Sequence, residues 1–182
     1  MPAWLGVGSE NAAHRVAVEW ETEGERRTGV YVPRRDTDST VNRLLGGRLF
    51  PGVHHRARFE VSESDGRYEI AMHSEDGDTH VRVVGERAAA LPADSAFDSL
   101  AAASWFFEQG SVGHSPNERT GEHEALELDT HEWAVEPLAV EAVASSYFES
   151  FPGRAAFDHA LLMRDIANEW HESESVCAPP VA

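Results

Sequence analysis

Residues 56–72 read Arg-Ala-Arg-Phe-Glu-Val-Ser-Glu-Ser-Asp-Gly-Arg-Tyr-Glu-Ile-Ala-Met. Ala57, Phe59 and Val61 alternate with Arg58 and Glu60, the period of a strand that buries one face. Asp65-Gly66 follows, a pair suited to the positive φ angles of a tight hairpin turn, and Arg67 to Met72 resumes the strand. A second Asp-Gly, Asp76-Gly77, leads into His80 to Gly85. The three runs predict an antiparallel meander. On its N-terminal side, His14 to Trp20 puts Val16, Val18 and Trp20 on one face, Glu21 to Glu25 reads as a turn, and Thr28 to Arg34 closes a hairpin. On its C-terminal side, Ala125 to Thr130 and Ala134 to Tyr147 read as strands, with Pro137 marking an interruption, bulge or edge. Phe157, His159, Leu161 and Met163 alternate in a further strand that extends to Arg164 or beyond.

Two short helices are expected beside these strands. Asp38 or Ser39 can cap one that runs through Leu45 and stops at Gly46-Gly47. Ser95-Ala96-Phe97-Asp98 has the form of a capping box. Phe97, Leu100, Ala101 and Trp105 then recur at helical spacing up to Gly110. The fold class is therefore α+β, mainly antiparallel β. The length of 182 residues suits one domain, read as 1–171, and the polar, proline-rich end predicts a disordered tail over 172–182.

Charge narrows the function classes. There are 32 acidic and 15 basic residues, a formal net charge of −17. Every basic residue is arginine. Without lysine there is no lysine Schiff base, no Walker-type phosphate lysine and no lysine general base. Nucleic acid is not an expected partner, because phosphate binding needs positive charge clustered over a face. Nor is a membrane, because no stretch reaches the ~20 apolar residues of a spanning helix. The start Met1-Pro2-Ala3-Trp4-Leu5-Gly6 has no signal-peptide pattern, and Cys177 is the single cysteine, so a cytoplasmic location is expected. An acid excess with no lysine is the composition of a halophilic protein. At ~1 M salt the Debye length is only about 3 Å, and repulsion among surface carboxylates is screened. The melting temperature is accordingly expected to rise from dilute buffer to multimolar KCl, and a flat or falling melting temperature would contradict the halophilic reading.

The charge is also unevenly placed. Arg26, Arg27, Arg34, Arg35, Arg43, Arg48, Arg56 and Arg58 lie in one segment with only Asp36 and Asp38, which makes it +6 within a remainder of −23. Inside it, Gly46-Gly47-Arg48-Leu49-Phe50-Pro51-Gly52-Val53-His54-His55-Arg56-Ala57-Arg58-Phe59 sets a Gly/Pro-rich bend before a strand. Arg48, Arg56 and Arg58 are candidate ligand-binding residues, since a guanidinium grips a carboxylate with two hydrogen bonds. His54 and His55 are candidate catalytic residues for proton transfer near pH 7, and adjacency on a strand lets only one of them face a cavity. The ordinary alternative is a turn that feeds an edge strand. No metal or other cofactor is expected. Cysteine pairs are absent, His131-Glu132 lacks the second histidine of a zincin, and there is no nucleophile elbow. His73 and His80 flank a turn and could meet across a hairpin.

Gly29-Val30-Tyr31-Val32, the helix with Gly47-Arg48-Leu49-Phe50, His54-His55-Arg56-Ala57-Arg58, Ser104-Trp105-Phe106-Phe107 and the stretch from Trp133 to Phe148 together resemble the YqjF-like family of uncharacterised proteins. The likeness spans most of Gly29 to Arg164. That family is similar in fold to acetoacetate decarboxylase, which implies an open or incomplete barrel with a central cavity. In the decarboxylase a lysine pair follows a Gly-Arg-Glu-Leu run. Here the pair falls on His54-His55, or on His55-Arg56 one position later, and neither can form a Schiff base with a ketone. The family carries an N-terminal portion ahead of the region where this chain begins, so a shortened member is expected.

Three functions follow as expectations. The first is binding, with or without conversion, of a small anionic metabolite by Arg48, Arg56 or Arg58 with His54 or His55. The second is a non-catalytic structural or interaction protein whose exposed sheet edges pair in a homodimer or with a partner chain. The third is a metal-dependent enzyme using His54, His73 or His80.

Overall fold

The computed structural model describes residues 8–22, 24–40, 52–117, 121–153 and 155–176. The expected helix between Asp38 and Leu45 lies, for the most part, outside the described residues, as does Arg48.

The chain is mostly β, with one ten-stranded mixed sheet among the described residues. β1 (Asn11–Thr22) and β2 (Glu25–Thr37) form the expected hairpin, joined through Gly24. β3 (His54–Ser64), β4 (Arg67–Ser74) and β5 (His80–Arg87) form the expected meander, with Ser64 opposite Arg67 and His73 opposite His80. β8 (Glu136–Ser145) pairs with β5, and the three-residue β9 (Ala160–Leu162) pairs with β8. On the other side, β7 (His123–Thr130) pairs antiparallel with both β6 (Val112–Pro116) and β10 (Asn168–Val176).

β2 joins the two halves. One edge carries β1 along its length. The other carries β6 at Val30–Tyr31 and β3 at Arg35–Thr37, both parallel. The resulting order is β10-β7-β6-β2-β3-β4-β5-β8-β9, and the sheet does not close among the described residues. The two parallel junctions qualify the antiparallel expectation, because such a pairing joins segments too distant in sequence for hairpin signals to announce.

Four local expectations are corrected. The helix α1 (Leu100–Glu108) is capped by Ser99, whose hydroxyl accepts from the Ala102 amide at 3.1 Å, and not by Ser95. Ser95 instead donates to Asp158 at 2.8 Å, which ties this loop to the segment before β9. The strand expected to reach Tyr147 ends at Ser145, and Ser146–Glu149 makes one helical turn, α2. The strand expected over Phe157 to Arg164 shortens to Ala160–Leu162, where β8 offers partners. β10 runs to Val176, past the boundary expected at Glu172. Its polar sequence gives no periodic signal, and it is recruited by backbone pairing to β7.

The buried apolar side chains are Val32, Ala57, Tyr68, Met72, Val84, Ala103, Ala125, Leu126 and Leu138. They come from both halves of the sheet and from α1, and adjacent buried residues such as Ala125 and Leu126 show that both faces of the sheet are covered in places. Tyr68 keeps its hydroxyl satisfied by accepting from Arg87 Nε at 3.0 Å and Arg164 Nη1 at 3.2 Å. Among the described residues no helix is long and apolar enough to cross a membrane.

Candidate functional site

The parallel junction between β2 and β3 sets Arg35 opposite His54, Asp36 opposite His55 and Thr37 opposite Arg56. Side chains alternate across a strand, so the junction sorts its charged residues onto two faces. Arg34, Asp36 and His55 share one face. Arg35 and His54 share the other.

The first face holds a closed network. Arg34 donates from Nε to Asp36 Oδ2 at 3.0 Å and from Nη2 to Asp36 Oδ1 at 2.9 Å, and Nη2 also reaches Asp76 Oδ2 at 2.8 Å. Asp36 is 0 % exposed. Asp76, in the β4–β5 turn, also accepts from the Ser74 hydroxyl and from the Asp78 amide at 3.0 Å, and lies 2.9 Å from His55 Nδ1. Burial alone would raise the Asp76 carboxyl, but hydrogen bonds from Ser74, the Asp78 amide and Arg34 outweigh it and hold Asp76 far below the usual carboxylate range. His14, opposite Arg34 on β1, completes this face at 4 % exposure. Its ring lies 4.3 Å from that of Tyr147 on α2, and its Nδ1 has no hydrogen-bond partner. The arrangement pins the meander's far turn to β2.

The second face opens on a cavity of about 360 Å³ whose lining includes Arg35, His54, Ala13, Leu126 and Trp170. Arg35 has no carboxylate partner among the described residues. Its Nη2 donates to Ser115 Oγ at 3.3 Å, and its Nε is buried without a partner. Burial, and then the positive charge of Arg15, push the Arg35 guanidinium down to about 10. Ser115 is fully buried, and Gly52 is packed against it. A Cβ at Gly52 would lie 2.8 Å from the Ser115 Cβ, and the positive φ of +87° there also favours glycine. His54 Nδ1 lies 3.3 Å from the Gly52 carbonyl, which selects the tautomer that donates there and leaves Nε2 with its lone pair. Burial first, and Arg35 second, lower the His54 pKa, so the ring is neutral near pH 7. A fixed cation thus sits beside a neutral imidazole in one cavity, a combination that can bind an anion and move a proton on it.

The other expected site residues lie elsewhere. His55 is on the opposite face with Asp76. Arg56 donates to Thr40 Oγ1 at 2.9 Å and pairs with Glu75 at 3.2 Å, and it is not among the residues that line the cavity. Arg58 is exposed on β3 opposite His73, also outside the lining. His73 and His80 do meet, with rings stacked at 6.4 Å, and among the described residues no group of three or more His, Cys, Asp or Glu is placed to hold a metal ion. Sequence reasoning passed over Arg35. The usable signal was Arg34-Arg35 on one strand, since adjacent arginines must face opposite ways and a single carboxylate, Asp36, can answer only its own face.

The buried His14 and the half-buried His54 and His114 make stability depend on pH. Burial is the leading cause that lowers the pKa of His14, His54 and His114. Each therefore binds its proton more readily in the unfolded chain, whose value is about 6.5. Their contribution is complete above that pH and is lost as pH falls through it. Asp76, depressed in the fold, adds a second loss below about pH 4. The melting temperature should be level between pH 8 and pH 7 and decline from pH 6.5 to pH 5. Thermal melts showing no change between pH 7 and pH 5 would contradict this assignment.

No family model, curated protein or solved structure matches the chain.

Proposed function

We propose that this protein binds a small organic anion in the Arg35–His54 cavity, with His54 as the proton-transfer group, and that it uses no Schiff base. The observation that carries the reading is Arg35 itself. A half-buried guanidinium with no carboxylate partner is costly to maintain, and an anionic ligand would supply the missing charge. The resemblance to YqjF-like proteins belongs to the same proposal, as does an open barrel of the acetoacetate decarboxylase kind. An open β-rich sheet with a cavity at the β2–β3 junction is compatible with both. Thermal shift with a panel of organic acids tests the reading. Acids that bind should raise the melting temperature of the parent protein and leave that of Arg35→Met unmoved. A panel without any Arg35-dependent shift would overturn it.

One observation favours a second reading, pairing through sheet edges. β1 is twelve residues long and pairs only with β2 among the described residues. An unpaired edge of that length can accept a second copy of the chain. Light scattering separates the two readings. A stable dimer that persists when β1 is left intact and dissociates when a proline replaces Ala17 would support edge pairing, and a strict monomer would remove it.

A further inference from the structure

We propose that the ligand is a monocarboxylic acid with a compact apolar body, its carboxylate on Arg35 and its body against Leu126, Ala13 and Trp170. This rests on the reading of the Arg35 cavity as an anion site and names its ligand class.

The charge count decides the number of negative groups. Arg35 turns a full positive charge toward the cavity. Asp36 contributes to the lining, but its carboxylate is held by Arg34 on the opposite face. His54 is neutral near pH 7. One monoanion therefore balances the site, and a dianion would leave a surplus negative charge in a partly desolvated cavity. The nearest further cation is Arg15. A Cβ placed on Gly113 would lie 3.7 Å from Arg15 Nη2 and 3.8 Å from Arg35 Nη2, so the two guanidinia approach the same glycine. Arg15, however, donates to the Gly110 carbonyl at 2.6 Å and lines a separate cavity of about 170 Å³ that also bears Glu108, Glu127 and Asp129. It is not among the residues that line the Arg35 cavity.

The walls decide the rest of the molecule. Leu126 is buried at the base, Ala13 lies on β1, and Trp170 stands 49 % exposed on β10. Ser9, Asn11 and the Trp170 indole N–H add a few polar atoms to the lining, while Ala12, Ala13, Leu126 and the Trp170 ring make an apolar wall that can remove a short aliphatic chain or one ring from water. A planar guanidinium fits the planar carboxylate at the other end.

Calorimetric titration of the full chain with benzoate, 3-methylbutanoate, acetate, succinate, inorganic phosphate and benzyl alcohol tests the proposal. Benzoate and 3-methylbutanoate are expected to bind at least tenfold more tightly than succinate, phosphate or benzyl alcohol. Acetate is expected to be weaker than both for want of a body. Trp170→Ala should weaken benzoate about fivefold and leave acetate unchanged. Succinate or phosphate binding as tightly as benzoate, with loss in Arg35→Met, would overturn the monocarboxylate class and leave the anion site standing. Equal affinity for benzoate and acetate would overturn the apolar body. No heat from any acid would remove both this inference and the reading beneath it. The ligand series on the parent protein decides the class even where a variant is poorly folded.

Discussion

Arg34→Met is expected to lower the melting temperature by on the order of 10 °C and to do so through charge. Arg34 is the shared cation of two carboxylates, and its side chain is 10 % exposed against 0 % for Asp36. Methionine keeps much of the volume and removes every donor. Asp36 would then be buried as an uncompensated anion, a loss of about 3–5 kcal/mol in comparable sites. In a chain of this length each kcal/mol moves the midpoint by about 2–4 °C. Lysine should not restore the parent value, because one ammonium cannot span Asp36 and Asp76 as the guanidinium fork does. The decisive comparison is Arg34→Met against Arg34→Met combined with Asp36→Asn. If the stranded carboxylate is the cause, the second change should recover a large part of the loss, although Asp36→Asn alone is destabilising. Two variants with equal melting temperatures would mean that packing, and not charge, sets the cost.

The same junction shows how far the sequence could be read. The meander was legible because Asp65-Gly66 and Asp76-Gly77 are local signals flanked by alternation, and the hairpin of β1 and β2 was legible for the same kind of reason. β6 was not. It is five residues long, with Gly113 and Pro116 in it, and its pairing with β2 joins Tyr31 to His114 across β3, β4, β5 and α1. β10 was not, because Glu, Ser and His alternate there without an apolar face. The consequence for the site is direct. His54 and His55 were both candidates, since they stand just before a readable strand. That His54 faces a cavity while His55 does not follows from alternation, and alternation could not say which of the two. Arg35 was present in the basic segment, yet its significance depends on what surrounds it. Ser115 comes from β6 and Trp170 from β10, the two strands that the sequence hid. Arg56 and Arg58 drew notice for their charge alone. In the fold Arg56 meets Glu75, and Arg58 stands exposed in solvent, where an acidic protein has carboxylates to spare.

Arg35→Met should have the opposite effect from its neighbour's, and the pair of substitutions is therefore a test of the site as well as of the residue. Arg35 and Arg34 are adjacent on β2 and face opposite sides. Arg34 answers two carboxylates. Arg35 answers none among the described residues, keeps one 3.3 Å bond to Ser115, and has a buried Nε without a partner. Removing Arg34 uncovers a charge, whereas removing Arg35 relieves one, together with its repulsion from Arg15. The free protein should gain roughly 1–2 kcal/mol, the scale on which apolar replacements of poorly compensated buried charge stabilise, and melt about 4 °C higher. Function should move the other way. A bound acid at a hundred times its dissociation constant adds about 2.7 kcal/mol to the parent's stability, a shift the variant cannot show once the carboxylate has lost its guanidinium. Parent and variant melting curves should therefore cross as the acid is added, with Arg35→Met the more stable without ligand and the less stable at saturation. A variant that melts lower than the parent in the absence of ligand would make Arg35 a structural arginine like Arg34, and would remove the strongest reason for placing an anion beside His54.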